Sequence, residues 1–554
     1  MTHHPSPAHM LSWLENPPEQ HISFSDGRGT STAHTYAAVA LGARRNSLLL
    51  RRAGIGSGDV VLVPGQNTLG FVTSLYGVLH AGATPAIIAP VGPAALPGRL
   101  RDVIGAVGPA ALLATRDHAS FLAGIAGQEG CEVLVEADEG PASEAAPEPP
   151  EVALIQFSSG SRGDPRGIQI AWPALNTHID GIRRWLSTTA DSHVAGWIPF
   201  YHDMGLVGTL LHPLAAGCGA SFMPPQEFIG DPLRWLRLLS SSGATESAVP
   251  AFSLNHVTRR VRQEQLEGLD FSRLESLVIG AERIDPNVLD AFHALLAPHG
   301  LSHGALLPAY GLAEAVLAVT GVRPDPHEVH TLLVDVGVLE VGKPVSAPAS
   351  DSTTGTRLVS CGGTLDEVDV DILDTDGSPL SEGVFGEIAV RGKALATGYL
   401  QRGLTAFDGR HRTGDMGFTR DGELYVVGRA GDGIKVNGRW LFAEDVQILA
   451  AEASPKPQRT VALLGAMSGG DTAVVVMEDC TAEETSAVGR FVAARLPGTR
   501  VLALLVPRGG LRRTTSGKPR RGAMWRELVM SGDLPASGLV WDSHGAWKEQ
   551  VTSR

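Results

Sequence analysis

Cysteine and charge are both scarce in this chain of 554 residues. The four cysteines, Cys131, Cys218, Cys361 and Cys480, form neither a CxxC pair nor a regular array. Their scatter argues against a disulfide-based secreted scaffold and favours a reducing, cytoplasmic setting. Charged residues make up 19% of the chain and the formal net charge is -14, which argues against sequence-independent binding to nucleic acid or to an anionic membrane.

Long hydrophobic runs are also missing. The first residues, MTHHPSPAHMLSWLENPP, contain no continuous apolar segment of the kind that a signal peptide carries. The stretch from Gly304 to Val322 approaches the length of a membrane span, but it contains Pro308, Gly311 and Glu314. We therefore expect this stretch to lie in the protein interior, and we expect no membrane span.

Hydrophobic residues are plentiful, at 43%, and their spacing alternates between strand and helix periods. After Asp59 the pattern predicts a strand, a helix and a second strand ending at Ile88, which is a βαβ unit. In this helical pattern Phe71, Leu75, Val78 and Leu79 share one face. The segment 139–151, EGPASEAAPEPPE, has the composition of an exposed connector.

The second half of the chain carries two further patterns. Residues 367–372 alternate acidic and apolar side chains and, with 386–390, predict an antiparallel hairpin. Strand and helix patterns at 461–464, 473–476, 482–496 and 501–506 predict a compact α+β module at the end of the chain.

The segment from Phe157 to Gly167, FSSGSRGDPRG, is the most informative short stretch. Its glycines allow close approach of the backbone, and its N–H groups and serine hydroxyls are typical of a phosphate-binding loop. Strand patterns flank it, and a helix is predicted from Pro173 to Leu186. Taken alone, the stretch is also compatible with a hairpin turn that binds nothing.

Five further polar clusters lie in glycine-rich or apolar surroundings. They span 201–205 (YHDMG), 310–314 (YGLAE), 412–415 (RTGD), 428–432 (GRAGD) and 514–518 (TTSGK). Each is a weak signal alone, because His-Asp pairs, glycine turns and basic faces are common without function.

In this order, the loop and the clusters resemble the adenylate-forming superfamily of acyl-CoA synthetases, luciferases and peptide-synthetase adenylation domains. The likeness runs from about Asp59 to Arg521. The segments FSSGSRGDPRG, GWIPFYHDMGLVGTLL, IGAERI, PAYGLAEAVLAV and LVSCGG look most like the fatty acyl-AMP ligases. This resemblance implies an α/β fold with a large N-terminal adenylate-forming domain, residues 1–430, with subdomains at roughly 1–150, 151–330 and 331–430. A small, mobile α+β C-terminal domain, residues 431–554, would follow.

The implied function is ATP-dependent activation of a carboxylic acid, of the fatty class, to an acyl-adenylate with release of pyrophosphate. The acyl group would then pass to the phosphopantetheine thiol of an acyl carrier protein. ATP and Mg²⁺ are the implied cofactors. The implied partners are the acid and the carrier protein, and no nucleic acid is expected.

The resemblance also assigns roles to residues. The loop would wrap the β- and γ-phosphates of ATP through Ser158, Ser159, Gly160, Ser161, Arg162 and Gly163. Lys518 would reach the α-phosphate and the substrate carboxylate, and His202 would shape the approach of the acid. Glu314 would hold Mg²⁺, which prefers oxygen ligands.

The nucleoside would be bound by other residues. Asp415 would accept hydrogen bonds from the ribose hydroxyls, supported by Arg429. Tyr310, followed by Gly311, would offer its ring to adenine. Gly280, Ala281 and Glu282 would flank that ring. The acid is expected between residues 197–208 and 249–254.

Three positions depart from the family pattern. Arg162 and Arg166 stand where Thr and Lys are usual, and Gly431 stands where relatives tend to carry Lys before the hinge residue Asp432. Arginine keeps the positive charge and adds planar donors, so we expect phosphate binding to survive, although the bulk of Arg162 could slow turnover.

Two other enzyme classes, α/β-hydrolases and P-loop NTPases, fit the sequence poorly. Residues 300–304, GLSHG, match the G-x-S-x-G elbow of α/β-hydrolases, but a helix is predicted before them and a strand after them, the reverse of an elbow. No P-loop motif occurs. An acyl-CoA synthetase and a non-catalytic acyl-adenylate binder stay open as alternatives. The segment from Arg323 to Arg357 lies where the fatty acyl-AMP ligases carry an extra segment, thought to restrain the domain motion that transfer to CoA needs.

Overall fold

The computed structural model describes residues 8–27, 30–90, 97–144, 149–158, 166–324, 329–348, 355–401, 403–436, 439–467, 470–496, 498–513, 519–530 and 538–544. Mixed helix and strand dominate these ranges, in agreement with the predicted α/β class.

A nine-stranded sheet forms one half of the frame. From edge to edge its strands are Gly363–Thr364, Ala318–Gly321, Leu306–Gly311, Ser276–Gly280, Glu246–Pro250, His193–Gly196, Gly219–Phe222, His21–Ser25 and Ser31–Thr35. The central strands are parallel, and antiparallel strands close both edges. The stretch 304–322 therefore crosses the interior of this sheet, as predicted, instead of a membrane.

An eight-stranded sheet forms the other half. Its strands, in order, are Leu404–Ala406, Gly398–Leu400, Arg166–Ala171, Val152–Ser158, Thr84–Ile88, Val60–Pro64, Ala111–Ala114 and Glu132–Val135. Val60–Pro64 and Thr84–Ile88 are parallel and joined by a helix, which confirms the predicted βαβ unit. Val152–Ser158 and Arg166–Ala171 are antiparallel, so the predicted phosphate loop does join two strands.

The remaining strands form smaller sheets. An antiparallel sheet contains Val368–Leu373, Gly386–Gly392, Arg410–Arg420 and Glu423–Arg429, which confirms the predicted hairpin. The last sheet contains Thr460–Met467, Gly470–Glu478, Arg500–Val506 and Leu539–Asp542, within the predicted C-terminal module. Two hairpins, Thr331–Val334 with Thr356–Val359 and Gly433–Val436 with Arg439–Phe442, complete the set of described strands.

Helices cover the sheets. The α-helices are Ala8–Leu11, Tyr36–Arg52, Leu69–Ala81, Pro97–Val107, Arg116–Ala126, Trp172–Leu186, His212–Ala216, Pro225–Gly230, Leu233–Ser242, Phe252–Arg260, Pro286–Leu296, Ala443–Ala453, Ala482–Ala493 and Arg521–Trp525. Among the described helices, none combines the length and the hydrophobicity that crossing a lipid bilayer requires.

Helix Leu69–Ala81 shows how sequence and packing act together. The Thr68 hydroxyl accepts a hydrogen bond from the Phe71 amide at its start, and Gly82, at φ 88°, ends it in the left-handed conformation. Residues 71–81 are all buried, and they include the four residues predicted to share a face. A Cβ on Gly77 would lie 2.5 Å from Asn46 Cβ, so glycine is what permits the close approach of helix Tyr36–Arg52.

Residues 300–304 do not form a nucleophile elbow. Helix Pro286–Leu296 precedes them and strand Leu306–Gly311 follows them, and Ser302 is exposed. An elbow needs a strand before and a helix after its serine, so the local order excludes that reading.

A hydrophobic cluster connects the predicted extra segment to later residues. Val334 and Leu339 of the segment are buried together with Phe385, Phe418 and Phe442. Phe442 is fully buried, and a Cβ on Gly428 would lie 2.6 Å from its ring. The hairpin at 433–442 is therefore packed against both the segment and the antiparallel sheet. The predicted boundaries at 150, 330 and 430 stay predictions.

Candidate functional site

One cleft of about 3310 Å³ opens beyond the C-terminal ends of the strands Glu246–Pro250, Ser276–Gly280 and Leu306–Gly311. Ligands of parallel α/β sheets bind at this kind of edge, because the loops that follow the strands converge there. Most of the chain separates the first and last residues that line the cleft, Ile87 and Gly522.

Asp415 lies in the cleft with both carboxylate oxygens engaged. The Tyr310 hydroxyl donates to Asp415 Oδ2 at 2.7 Å, and Arg429 Nε lies 3.3 Å from Oδ1. The strand pairing sets Asp415 opposite Arg429, which explains why residues fourteen apart in sequence meet. The pair and the tyrosine together make a fixed, negatively charged acceptor.

Electrostatics keep this trio in defined charge states. Burial, followed by the charge of Asp415, raises the pKa of Tyr310 well above its ordinary value. Burial alone would lower the pKa of Arg429, but Asp415, Tyr310 and other anionic groups outweigh it and raise that pKa. The tyrosine therefore stays a hydrogen-bond donor and the arginine stays a cation at neutral pH.

Gly280, Ala281 and Glu282 follow the strand Ser276–Gly280 and line the same cleft. A Cβ on Gly280 would lie 3.0 Å from the Ala309 carbonyl oxygen, so a larger residue would push on the neighbouring strand. Ala281 has φ 66°, a left-handed conformation that only glycine adopts without strain. The turn is thus held in place by its surroundings.

Glu314 belongs to a third group of side chains. The Tyr399 hydroxyl donates to Glu314 Oε1 at 2.6 Å, and the Arg166 guanidinium lies 5.2 Å from the centre of the Tyr399 ring. Strand Gly398–Leu400 pairs with strand Arg166–Ala171, and this pairing brings Tyr399 beside the base of the predicted phosphate loop. A carboxylate, a phenol and a guanidinium therefore meet where the triphosphate is expected.

His202 is oriented by its neighbour. Its Nδ1 lies 2.5 Å from Asp203 Oδ1 and 3.4 Å from the Met204 amide nitrogen, so the ring is held on this side by two neighbours. Asp203 also caps the π-helical segment Met204–Leu211 by accepting from the Met204 amide at 2.8 Å. Gly205 is essential to this turn, because a Cβ there would lie 2.1 Å from the Pro199 carbonyl oxygen. His202 lines the cleft.

Several predicted site residues lie outside the described residues. They are Ser159, Gly160, Ser161, Arg162, Gly163 and Lys518. The backbone of Ser158 is described, at the end of strand Val152–Ser158 and opposite Arg166. Arg513 and Pro519, on the two sides of Lys518, are bridged to each other and both line the cleft. The base of the segment 514–518 is therefore at the site.

The apolar part of the cleft lies between the two predicted acid-binding segments. Ile198, Met204 and Ala248 form a buried cluster against Val278 and Leu317. A Cβ on Gly208 would lie 2.9 Å from Leu317, which keeps the wall close at this point. Farther from the nucleotide end, the lining continues along Trp185, Val194, Thr209 and Glu246.

Sequence reasoning missed several cleft residues. Tyr399 and Glu246 were not named, and neither was the ion pair of Arg283 Nη1 with Asp445 Oδ1, 2.5 Å long and largely buried. Arg521, which donates to Glu444 at 2.9 Å and lies 3.4 Å from Asp432, is a further cleft residue of this kind. An aromatic residue in a short strand, such as Tyr399, carries no signal of its own before the strand pairing is known.

The donors in the cleft fit ATP and Mg²⁺. Within the described ranges, no three His, Cys, Asp or Glu side chains converge to hold a metal alone. Mg²⁺ on a nucleotide usually takes one or two carboxylates and fills its other positions with phosphates and water. Glu314, oriented by Tyr399, is a carboxylate suited to that role.

The chain matches the AMP-binding enzyme family over residues 12–400, which is more than half its length. It is 30% identical over 514 residues to the long-chain-fatty-acid–AMP ligase FadD26 of Mycobacterium marinum, covering 84% of this chain and 86% of that protein. It is also 30% identical over 407 residues to the medium-chain-fatty-acid–[acyl-carrier-protein] ligase JamA of Moorena producens, covering 69% of this chain and 68% of the relative.

A solved structure from work on fatty acyl-adenylate ligases of E. coli and L. pneumophila superposes on the chain with a TM-score of 0.88. The sequence identity is 26%, and the superposition covers 96% of this chain and 99% of the other. The fold and the order of its parts are thus shared along nearly the whole length.

Proposed function

The chain belongs to the AMP-binding enzymes, and from that premise we propose that it is a fatty acyl-AMP ligase. It activates a fatty acid with ATP, releases pyrophosphate and passes the acyl group to the phosphopantetheine thiol of an acyl carrier protein. The named activities of FadD26 and JamA support the two halves of this reaction.

The observation that carries the proposal is the doubly held carboxylate of Asp415 in a cleft shared with Glu314 and His202. A carboxylate that is fixed by one phenol and one guanidinium can accept hydrogen bonds from two adjacent hydroxyls. A ribose presents such a pair, and the Tyr310 ring lies beside it for the base. The rest of the cleft then has room for a triphosphate at one end and an acyl chain at the other.

In the first step, a carboxylate oxygen of the acid attacks the α-phosphorus of ATP. The new bond is acyl O–P, the bond between the α-phosphorus and the bridging oxygen breaks, and that electron pair leaves with pyrophosphate. Catalysis of this displacement depends on aligning two anions and stabilising charge on the phosphate oxygens.

The residues share this work. Lys518 brings a positive charge to the α-phosphate, and His202, held by Asp203, orients the acid. The loop Ser158–Gly163 and Arg166 bind the outer phosphates. Mg²⁺, held by Glu314, would neutralise phosphate charge when bound.

In the second step, the carrier thiol attacks the acyl carbonyl of the adenylate. A C–S bond forms, the C–O bond to AMP breaks, and the thiol proton leaves to solvent. The resemblance to the adenylate-forming superfamily implies that the C-terminal residues swing to withdraw Lys518 before this step. We place the reaction in the cytoplasm, where ATP is supplied.

Pyrophosphate release tests the proposal. The full-length protein is mixed with ATP, Mg²⁺ and a panel of fatty acids, and acyl-AMP is identified by mass spectrometry. CoA or a phosphopantetheinylated carrier protein is then added. We expect acyl-AMP with the acids alone and thioester on the carrier. Thioester on CoA alone would make it an acyl-CoA synthetase, and binding of acyl-AMP without its synthesis would make it a non-catalytic binder.

A further inference from the structure

A carboxyl group lies at the far end of the acyl part of the cleft. Glu246 is the first residue of strand Glu246–Pro250, whose last residue reaches the reaction end. Glu246 lines the cleft but is only 4% exposed, and its Oε2 has no hydrogen-bond partner among the described residues. Its neighbours in the lining, Trp185 and Val194, are hydrophobic.

Among the described residues, no charged lysine or arginine is ion-paired with this carboxyl. His212 Nε2 is 3.9 Å from Glu246 Oε2, but it is already paired with the Thr188 hydroxyl at 2.9 Å, while His212 Nδ1 faces the Gly208 carbonyl oxygen. Burial lowers the pKa of His212 to about 4, so this ring is neutral at pH 7. In the described part of the chain, no arginine or lysine lies within ion-pairing distance of Glu246.

Burial has the opposite effect on the carboxyl itself. It raises the pKa of Glu246 to about 7, while hydrogen bonds from the hydroxyls of Thr188 and Ser192 act against the shift. An acid buried without its full set of partners destabilises the fold, and an apolar residue of similar size would pack there at less cost. A polar group supplied by a ligand would satisfy the carboxyl.

The position of Glu246 sets the length of such a ligand. Glu246 and Pro250 are four residues apart on an extended strand, which is about 13 Å. Four residues of extended backbone contain about twelve bonds, so an extended acyl chain needs a similar number to run the same distance. Ala248, on the same face between the two ends, also lines the cleft.

We propose that Glu246 recognises a hydroxyl group at the distal end of the acyl chain, so that the preferred substrate is an ω-hydroxylated fatty acid of about ten to fourteen carbons. This inference rests on the proposed function and adds its substrate class. A hydroxyl donates one hydrogen bond to the carboxyl without bringing a charge. An ammonium group would have to lose its hydration for one carboxyl in an apolar surround.

The test compares paired acids. Decanoic, dodecanoic and tetradecanoic acids and their ω-hydroxy and ω-amino counterparts are assayed by pyrophosphate release, and kcat and KM are determined separately. We expect the best ω-hydroxy acid to exceed its unsubstituted partner in kcat/KM by about tenfold or more, because a buried acceptor left unpaired penalises the plain chain. The gain should lie mainly in KM, since the hydroxyl is remote from the reacting phosphorus.

Two variants and a control separate recognition from folding. Glu246→Leu should invert the preference towards the unsubstituted acid, and the isosteric Glu246→Gln should retain a reduced preference for the hydroxy acid. Glu267→Gln, the same change at an exposed residue outside the cleft, should keep the wild-type ratio. A wild-type ratio near one, an unaltered ratio in Glu246→Leu, or a preference for the ω-amino acids would overturn the inference.

Calorimetry of the same acids with the full-length protein keeps the inference separate from the proposed function. If no acid yields pyrophosphate, the proposed function fails. Tighter binding of the hydroxy acid, lost in Glu246→Leu, would still support recognition at Glu246. Equal binding of both acids would refute it.

Discussion

The two ends of the cleft are built on different principles. At the nucleotide end, two carboxylates have partners: Asp415 has Tyr310 and Arg429, and Glu314 has Tyr399. At the acyl end, the walls are hydrophobic and one carboxyl, Glu246, retains an oxygen without a described partner. The side chains at the nucleotide end are thus held in place without a ligand. At the acyl end, one carboxylate oxygen of Glu246 still lacks a described hydrogen-bond partner. Affinity for ATP should therefore depend on orientation, and choice of acid on a single unpaired group.

The largest effect is expected at Lys518, which we propose to act on the α-phosphate. Lys518→Ala should lower kcat for pyrophosphate release by about a thousandfold or more, because the charge at the reacting phosphorus stabilises the transition state more than bound ATP. ATP affinity, measured by calorimetry, should change little. Lys393→Ala, at an exposed lysine paired only with Glu367, is the matched control and should retain full turnover. Comparable turnover in Lys518→Ala would remove this residue from the mechanism.

Asp415→Asn tests the organisation of the nucleotide end. The variant loses the charge that holds Arg429 and leaves one amide group facing a donor, so we expect KM for ATP to rise by about a hundredfold. Stopped assays over a range of ATP concentrations measure this change. Asp102→Asn, at an exposed position of helix Pro97–Val107, should match the wild type. A normal KM for ATP in Asp415→Asn would contradict the ribose assignment.

Because of Glu246, the stability of the fold should depend on pH. Its pKa is raised from an ordinary value of 4.5 to about 7 in the folded protein, so between these values the folded state binds more protons than the unfolded state. The free energy of unfolding of the wild type should therefore fall as pH rises from about 4.5 to about 7, by on the order of 2 kcal/mol. Glu246→Gln lacks this titration.

Denaturant unfolding at pH 5 and pH 8 measures the effect. Glu246→Gln should gain stability relative to the wild type at the higher pH and little at the lower one. A difference between the two proteins that does not vary with pH would show that Glu246 is not held at a raised pKa.

Tyr399→Phe should have a smaller effect, because it removes only the hydrogen bond between Tyr399 and Glu314. It removes the hydroxyl that donates to Glu314 and keeps the ring beneath Arg166, so we expect a roughly tenfold loss in kcat and a higher Mg²⁺ requirement. Titration of pyrophosphate release against Mg²⁺ measures both. Tyr76→Phe, at a buried tyrosine outside the cleft, controls for the loss of a phenol. An unchanged Mg²⁺ profile would argue against metal binding at Glu314.

The smallest expected effect concerns the acyl acceptor, which is either CoA or the carrier protein. Shortening the segment 323–357 removes Val334 and Leu339 from the cluster that buries Phe442, and so loosens the hairpin at 433–442. We expect a few-fold increase in acyl-CoA formation, because the restraint on domain motion is reduced. Mass spectrometry of thioesters compares the two proteins. No increase in a deletion variant that still forms acyl-AMP would refute this role.

Much of the fold followed from the sequence, because strand and helix periods are local. The βαβ unit before Ile88, the strands around the loop at 157–167 and the hairpin at 367–390 all lie where the patterns put them. The spacing of four apolar residues in helix Leu69–Ala81 did not show that the whole stretch 71–81 is buried. Its small residues, such as Gly77, signal close packing only once the neighbouring helix is known.

The nucleotide end was more readable than the acyl end for a physical reason. Its residues stand in short motifs marked by glycine, and each motif is continuous in the sequence. Strand pairing and burial define Tyr399, Arg283 and Glu246, and neither property is local. A glutamate at the start of an apolar strand looks like an exposed end in the sequence, whereas the fold encloses it.

Phe442 has a practical consequence for anyone who divides this protein. Its ring packs in a hydrophobic pocket formed by Phe385 and by the backbone of Gly428, which has no side chain. A recombinant fragment that stops near residue 430 would keep the hydrophobic pocket and lose the Phe442 side chain that fills it. The exposed apolar surface would then promote self-association. Ending the fragment after Phe442, or co-expressing the two pieces, would keep the Phe442 side chain packed in this pocket.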